Sequence, residues 1–470
     1  MNDATGIPAA DGLVPTARTF AILGANGDLA ERLLIPALGQ VVDAARDRRA
    51  PIELSIVGAA RSPQPNDEWR ALVRHSLETA GVSSQSVDAI SSTALFVATD
   101  ASDPDQLREL LAACPSSPVL YIALPPAMGL KVAAALAELD LPDDLVIAIE
   151  KPFGEDLEQA IALNEALAAV IPEDRLWRID HFLGNAATFG MLGLRFGNRL
   201  LEAGWNAENI EKVEIVFEEE LGLEGRAEFY DQTGALRDML QSHLLMVLAL
   251  TAMERPEAVD ATHVHDRMAE VLGAVRLWRD DVSTAHRARY TEGRVDGQLY
   301  PTYADESGVD AGRSTETLAQ LLLQVDTERW AGVPFVLRSG KAIGSPRTEV
   351  AIHFRQPSVP EGLHGDPDAP GQVLRISLEN GDIDLGLLIN GVHESDTLRP
   401  LVLEGRPGEA ELGAYAQVLA GVLQGDTLLS VRGDIAEQCW RIVTPVVAAW
   451  KADATTLEEY EAGSRGPHGW

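Results

Sequence analysis

Lysine is scarce in this chain of 470 residues, cysteine is scarcer, and a basic balance is missing altogether. Cys114 and Cys439 are the whole cysteine content. Nothing about their spacing suggests a metal site, so no metal is expected, and two cysteines in a chain this long fit a reducing cytoplasm. Thirty-eight basic residues face 72 acidic ones, a net charge of −34. No basic stripe is available to neutralise a phosphate backbone, which excludes nucleic acid as a partner. No stretch reaches the roughly 18–20 consecutive apolar residues of a membrane span. Residues 1–17, MNDATGIPAADGLVPTA, lack the basic start and apolar core of a signal peptide and read as a disordered leader.

The acidity has a chemical consequence. An anionic ligand must find a local island of positive charge inside a repulsive field. Lysines help locate such islands, and there are five: Lys131, Lys151, Lys212, Lys341 and Lys451, against 33 arginines. The length exceeds one ordinary hydrophobic core, so two domains are expected.

The first domain reads as a nucleotide-binding half. An apolar strand at 18–23 runs into Gly24-Ala25-Asn26-Gly27-Asp28-Leu29 and then the helical pattern LAERLLIPAL. A strand that turns through glycines into a helix start cradles a pyrophosphate, although Gly-x-x-Gly alone also suits a plain connection. Further strands are expected at 52–58, 94–98, 118–124 and 145–150, separated by helical patterns, which indicates a doubly wound parallel sheet. The carboxyl ends of those strands carry the glycine turn, Arg61, Pro125-Pro126 and Glu150-Lys151-Pro152. An arginine after the second strand suits a ribose 2′-phosphate, where an acid would suit a free hydroxyl, so Arg61 favours NADP over NAD.

Residues 178–185, RIDHFLGN, place Asp180 beside His181. Neighbours on an extended segment point to opposite faces, so these two do not serve each other.

From here the chain resembles the glucose-6-phosphate dehydrogenase family almost end to end. GANGDLAERLLIPAL is similar to that family's coenzyme turn, AIEKPFGED to its EKPFG segment, and RIDHFLGN to its RIDHYLGK signature. FYDQTGALRDMLQSHLLMVLALTAMERP, WAGVPFVLRSGKA and YEAGSRGP follow in family order. The resemblance implies a Rossmann-like domain over 18–182 and a larger domain over 183–470, with a mostly antiparallel sheet backed by helices. Strands near 211–219 and 372–379 and a long apolar helix over 235–253 are compatible with it. It also implies oxidation of C1 of an aldose 6-phosphate with hydride transfer to NAD(P), in a homodimer or homotetramer. Such chemistry needs a base for the C1 hydroxyl proton, a task suited to a histidine held by a carboxylate. The family's pattern puts the base at His243 and its carboxylate partner at Asp180. It puts sugar-hydroxyl acceptors at Glu219 and Asp238, and lysines near the reacting groups at Lys151 and Lys341. It turns His181 towards the phosphate, together with a Tyr and a Lys.

At those last two positions this sequence departs, with Phe182 and Asn185. Phe182 lacks the hydroxyl and Asn185 lacks the charge that a phosphate wants, a combined loss of roughly 2–4 kcal/mol. In a chain that prefers Arg, a drift that kept the charge would give Arg at 185. Ser242 also replaces the usual Asn beside the base, and Arg347 lies one position off the family's basic residue. Three readings follow: a glucose-6-phosphate dehydrogenase that holds phosphate by other groups, a paralogue for an unphosphorylated or differently substituted sugar, and a non-catalytic regulatory homologue.

Overall fold

A computed structural model describes residues 17–223, 225, 227–365, 371–390, 396–408 and 410–470. The expected leader thus lies outside the described residues, apart from Ala17, which opens the first strand. Two compact units are present: Met1–His181 with Glu411–Arg432, and Phe182–Ala410 with Gly433–Trp470.

The first unit is built on six parallel strands: β1 (Ala17–Leu23), β2 (Glu53–Ala60), β3 (Leu95–Ala98), β4 (Pro118–Ile122), β5 (Val146–Glu150) and β6 (Leu176–Ile179). Their order is β3-β2-β1-β4-β5-β6, so the direction of winding reverses between β1 and β4. Ligands of such sheets bind at the carboxyl ends of the strands at that switch point. The strands are near-continuous apolar runs, as a sheet covered on both faces requires; all five residues of β4 are buried.

One departure concerns residues 411–432, which the expected 183–470 domain included but which join the first unit. The helix Ala414–Gln424 buries Ala416, Val418, Leu419, Val422 and Leu423 in one core with Phe20, Ile22, Ile56, Tyr121 and Trp177. Its apolar face is matched by the helix Ile35–Asp47, against which it packs. No local sequence signal announces a partner more than 300 residues away.

The second unit carries a larger sheet of eleven strands. They are β7 (Ile210–Glu218), β8 (Val275–Leu277), β9 (Ala285–Thr291), β12 (Leu318–Val325), β13 (Phe335–Gly340), β14 (Thr348–Phe354), β15 (His364–Gly365), β16 (Val373–Ser377), β17 (Ile383–Asn390), β18 (Thr397–Gly405) and β19 (Leu457–Glu461), while β10 (Gly293–Val295) and β11 (Gln298–Tyr300) pair separately. The order is β15-β18-β17-β16-β14-β7-β13-β12-β9-β19, with β8 on β12. Most neighbours are antiparallel, and β7 with β13 is a parallel exception.

Across β7, β12 and β13 packs the segment Leu236–Leu244. It is wound as a π-helix and continues into the α-helix Leu245–Ala252, every residue of which is buried. A helix that is apolar all round belongs in a core. Among the described residues no helix is long and apolar enough to cross a membrane.

Candidate active site

In the first unit, Gly24 follows β1 with φ +92°. Its N–H donates to Ala59 O at 2.8 Å, and a Cβ built on it would lie 2.3 Å from Ala123 O, just past β4. Only glycine fits this left-handed turn pressed against the neighbouring strand. The turn therefore lies at the β1/β4 switch point, a cradle of the kind a dinucleotide needs. Asn26, Gly27 and Asp28 are exposed there, Leu29 is half-buried, and a short π-helix over Ala30–Leu34 precedes the helix Ile35–Asp47. Arg61 is exposed immediately after β2. The carboxyl of Asp100, just past β3, is held low first by hydrogen bonds from Ser102, then by the charges of Arg61 and Lys131. Lys131 is thus a second cation at this end of the sheet, and its helical sequence context did not single it out. Pro125 follows β4, and the Lys151-Pro152 bond after β5 is cis.

Behind Lys151 lies a polar network that the sequence reading missed. Tyr121 and Tyr415 both donate hydrogen bonds to Glu150 Oε1, the latter at 2.6 Å. Burial pushes the Glu150 carboxyl up, while the two hydroxyls and the Lys151 charge pull it back. Burial raises both tyrosines far enough that they stay neutral donors. The Tyr415 ring stacks on His181 with centroids 5.4 Å apart and planes 13° from parallel. Tyr415 thus ties the imidazole that follows β6 to the carboxylate that ends β5. It sits in the 411–432 segment, so only the tertiary fold reveals it. Asp180, one residue earlier, is wholly buried.

In the second unit, the π-helix Leu236–Leu244 carries Asp238 and His243. A π-helix links residues five apart, so these two lie on one face. In an α-helix, at 3.6 residues per turn, they would diverge by roughly 140°. His243 is 1% exposed. The Phe182 ring lies flat against its imidazole, centroids 4.0 Å apart and planes 11° from parallel, and is braced in turn by Phe217 at 5.1 Å. Ser242 is buried, and its Oγ has no hydrogen-bond partner among the described residues.

Asn185 is committed within its own unit. It caps the helix Ala186–Phe196, with Oδ1 accepting from Ala187 N at 3.4 Å and Nδ2 donating to Leu378 O, just past β16. Capping explains why an Asn is stable here, since Asn is among the best N-cap residues.

Glu219 and Lys341 follow the parallel neighbours β7 and β13 and meet as an ion pair of 2.6 Å. Lys341 is 5% exposed, with its ammonium 5.3 Å from the Tyr230 ring centre. Arg347 instead lies within 4.0 Å of the carboxylates of Glu214, Glu218 and Glu349.

Comparison with known proteins shows the family. The family description "Glucose-6-phosphate dehydrogenase, NAD binding domain" matches residues 21–188, and "Glucose-6-phosphate dehydrogenase, C-terminal domain" matches 192–470. The chain is similar to the glucose-6-phosphate 1-dehydrogenase of Gluconobacter oxydans, with 35% identity over 469 residues, 95% of this chain and 94% of that protein. Its fold is similar to that of a glucose-6-phosphate dehydrogenase solved in complex with its substrate glucose-6-phosphate (TM-score 0.85, 30% identity, 96% of each chain). It is also similar to the glucose-6-phosphate 1-dehydrogenase of Mycobacterium avium (TM-score 0.81, 31% identity, 96% of this chain and 95% of that one). The chain therefore belongs to the glucose-6-phosphate dehydrogenase family, oxidoreductases that bind NAD(P) through the dinucleotide-binding domain.

Proposed function

We propose that this protein oxidises C1 of glucose 6-phosphate to the 6-phosphogluconolactone, with NADP as the coenzyme. The observation that carries this reading is the end-to-end match to relatives of that name, one of them solved with glucose 6-phosphate bound.

When bound, the nicotinamide supplies the hydride acceptor. The Gly24 cradle fits its pyrophosphate, with Asn26, Gly27, Asp28, Leu29 and Pro125 around it and Arg61 for the 2′-phosphate. His243 takes the C1 hydroxyl proton as the C1–H electron pair departs, leaving the carbonyl of the lactone. Asp180 holds the imidazole in the accepting tautomer and offsets its developing charge. Glu219 and Asp238 accept hydrogen bonds from sugar hydroxyls, while Lys151 and Lys341 lend positive charge near the reacting end. His181, stacked on Tyr415, serves the phosphate side. Exposed Ile389, Val402 and Leu403 on β17 and β18 support a homo-oligomer formed through this sheet. The two free cysteines suit work in the cytoplasm.

A second reading, oxidation of an unphosphorylated sugar, is favoured by one observation: both polar ends of the Asn185 side chain are used within the fold. Coenzyme reduction with glucose 6-phosphate and with glucose at matched concentration separates the two. The phosphate ester should be preferred by a large factor; preference for glucose would replace the first reading by the second. For the coenzyme, Arg61→Ala should raise the KM for NADP about tenfold, a loss near 1.5 kcal/mol for an exposed charge-assisted contact. The KM for NAD should stay within about twofold. Equal changes in both would remove Arg61 from 2′-phosphate recognition.

A further inference from the structure

The one-face arrangement of Asp238 and His243 depends on where the π-winding begins, and a buried carboxylate stands at that point. Glu316, 7% exposed, precedes β12 and accepts a hydrogen bond on Oε1 from Leu236 N at 2.9 Å. Its carbonyl oxygen also accepts from Ala235 N at 3.3 Å. The segment is itself anchored, because Thr315 Oγ1 donates to Asp231 O at 2.7 Å and Thr317 Oγ1 lies 2.8 Å from the Tyr460 hydroxyl. Just before the helix the chain turns sharply at Gly234, with φ +66° and ψ 172°. A Cβ there would lie 2.4 Å from Glu316 Oε1, so the glycine leaves room for the carboxylate.

The far end of the same helical run is tied in the complementary sense. The fully buried Arg195 donates to Leu250, Thr251 and Met253 carbonyls, and the indole N–H groups of Trp205 and Trp330 donate to Thr251 O and Ala252 O. Burial lowers the Arg195 guanidinium to about 10, which leaves it charged at neutral pH. Burial pushes the Glu316 carboxyl up, so its part at the helix start is that of an oxygen acceptor, while the Arg195 cation at the C-terminus suits the helix dipole. The Arg195 charge is removed from water, so its screening by salt is weak.

We infer that Glu316 is a positioning residue that fixes the start of the π-helix and thereby keeps Asp238 and His243 on one face towards the sugar. This rests on His243 being the base. If the first orphan N–H of the helix loses its acceptor, the turn is free to rewind towards the α form, and the two side chains separate around the axis.

The test compares Glu316→Ala, Glu316→Gln and Gly234→Ala in the full chain, with His243→Asn alongside. Glu316→Ala is expected to lower kcat at least tenfold and to leave the KM for coenzyme within about twofold. Glu316→Gln keeps an oxygen acceptor for Leu236 N–H and should recover kcat to within about threefold of the parent. Gly234→Ala, which displaces the carboxylate and keeps every charge, should behave like Glu316→Ala. A folded Glu316→Ala or Gly234→Ala variant with parental kcat overturns the inference. Should neither of these fold, Glu316→Gln decides: a tenfold loss of kcat in that variant would show that the acceptor is not what matters. If instead His243→Asn keeps its activity, the base assignment fails, and with it the premise rather than the cap.

Discussion

Replacing His243 by Asn is expected to lower kcat by about two to four powers of ten, the contribution typical of a positioned base. The KM for coenzyme should change little, because none of the residues assigned to the coenzyme belongs to the helix that carries His243. Asn occupies less than an imidazole and stays neutral, so it neither accepts the C1 proton nor repels the sugar. The result separates an enzyme from a non-catalytic homologue of the same fold. Steady-state coenzyme reduction combined with a coenzyme-binding titration reads both quantities. A kcat within tenfold of the parent, with coenzyme still bound, would transfer the role of base to another residue. His243 is pressed between its helix and the Phe182 ring, so thermal unfolding should be followed in the same preparation.

Asn185→Lys is expected to improve use of the phosphate ester alone. A charge-assisted hydrogen bond contributes roughly 1.5–3 kcal/mol, which converts to about a 10- to 150-fold lower KM for glucose 6-phosphate. The KM for glucose should not follow. The substitution also removes an N-cap and places a cation at a helix start, a cost of about 1–2 kcal/mol in stability. A lower midpoint of thermal unfolding together with a lower KM would show that this position has exchanged phosphate binding for a structural tie to Leu378. If the KM is unchanged while stability falls, phosphate is held elsewhere, with His181 and Lys341 as the remaining groups to test.

Much of this molecule was legible before any fold was known, and the legible parts share one property: they are local. The parallel strands of the first unit were expected within two residues of where they lie, because buried strands are continuous apolar runs between turns. β6, only four residues long, was not read as a strand of that sheet. The glycine turn, Arg61, the Lys151-Pro152 segment and RIDHFLGN could be read because each function resides in a few consecutive residues. The alternation in β7 and β16 likewise marked strands of the second sheet.

The tertiary structure alone decided what depends on distant partners. The pattern over 235–253 reads as one apolar helix, and nothing in it specifies that 236–244 winds as a π-helix; that depends on the Gly234 turn and on Glu316, 80 residues ahead of Leu236. Residues 411–432 read as part of the second domain until their apolar face met the core of the first. Tyr415 could not be singled out without His181 and Glu150 beside it. Asn185 reads as a lost charge in the sequence and is an occupied helix cap in the fold. Propensity and spacing act over one or two turns of chain, so the sequence by itself determined the elements and the family. Burial and hydrogen-bond satisfaction act between residues hundreds of positions apart, and only the folded chain could assign those side chains their work.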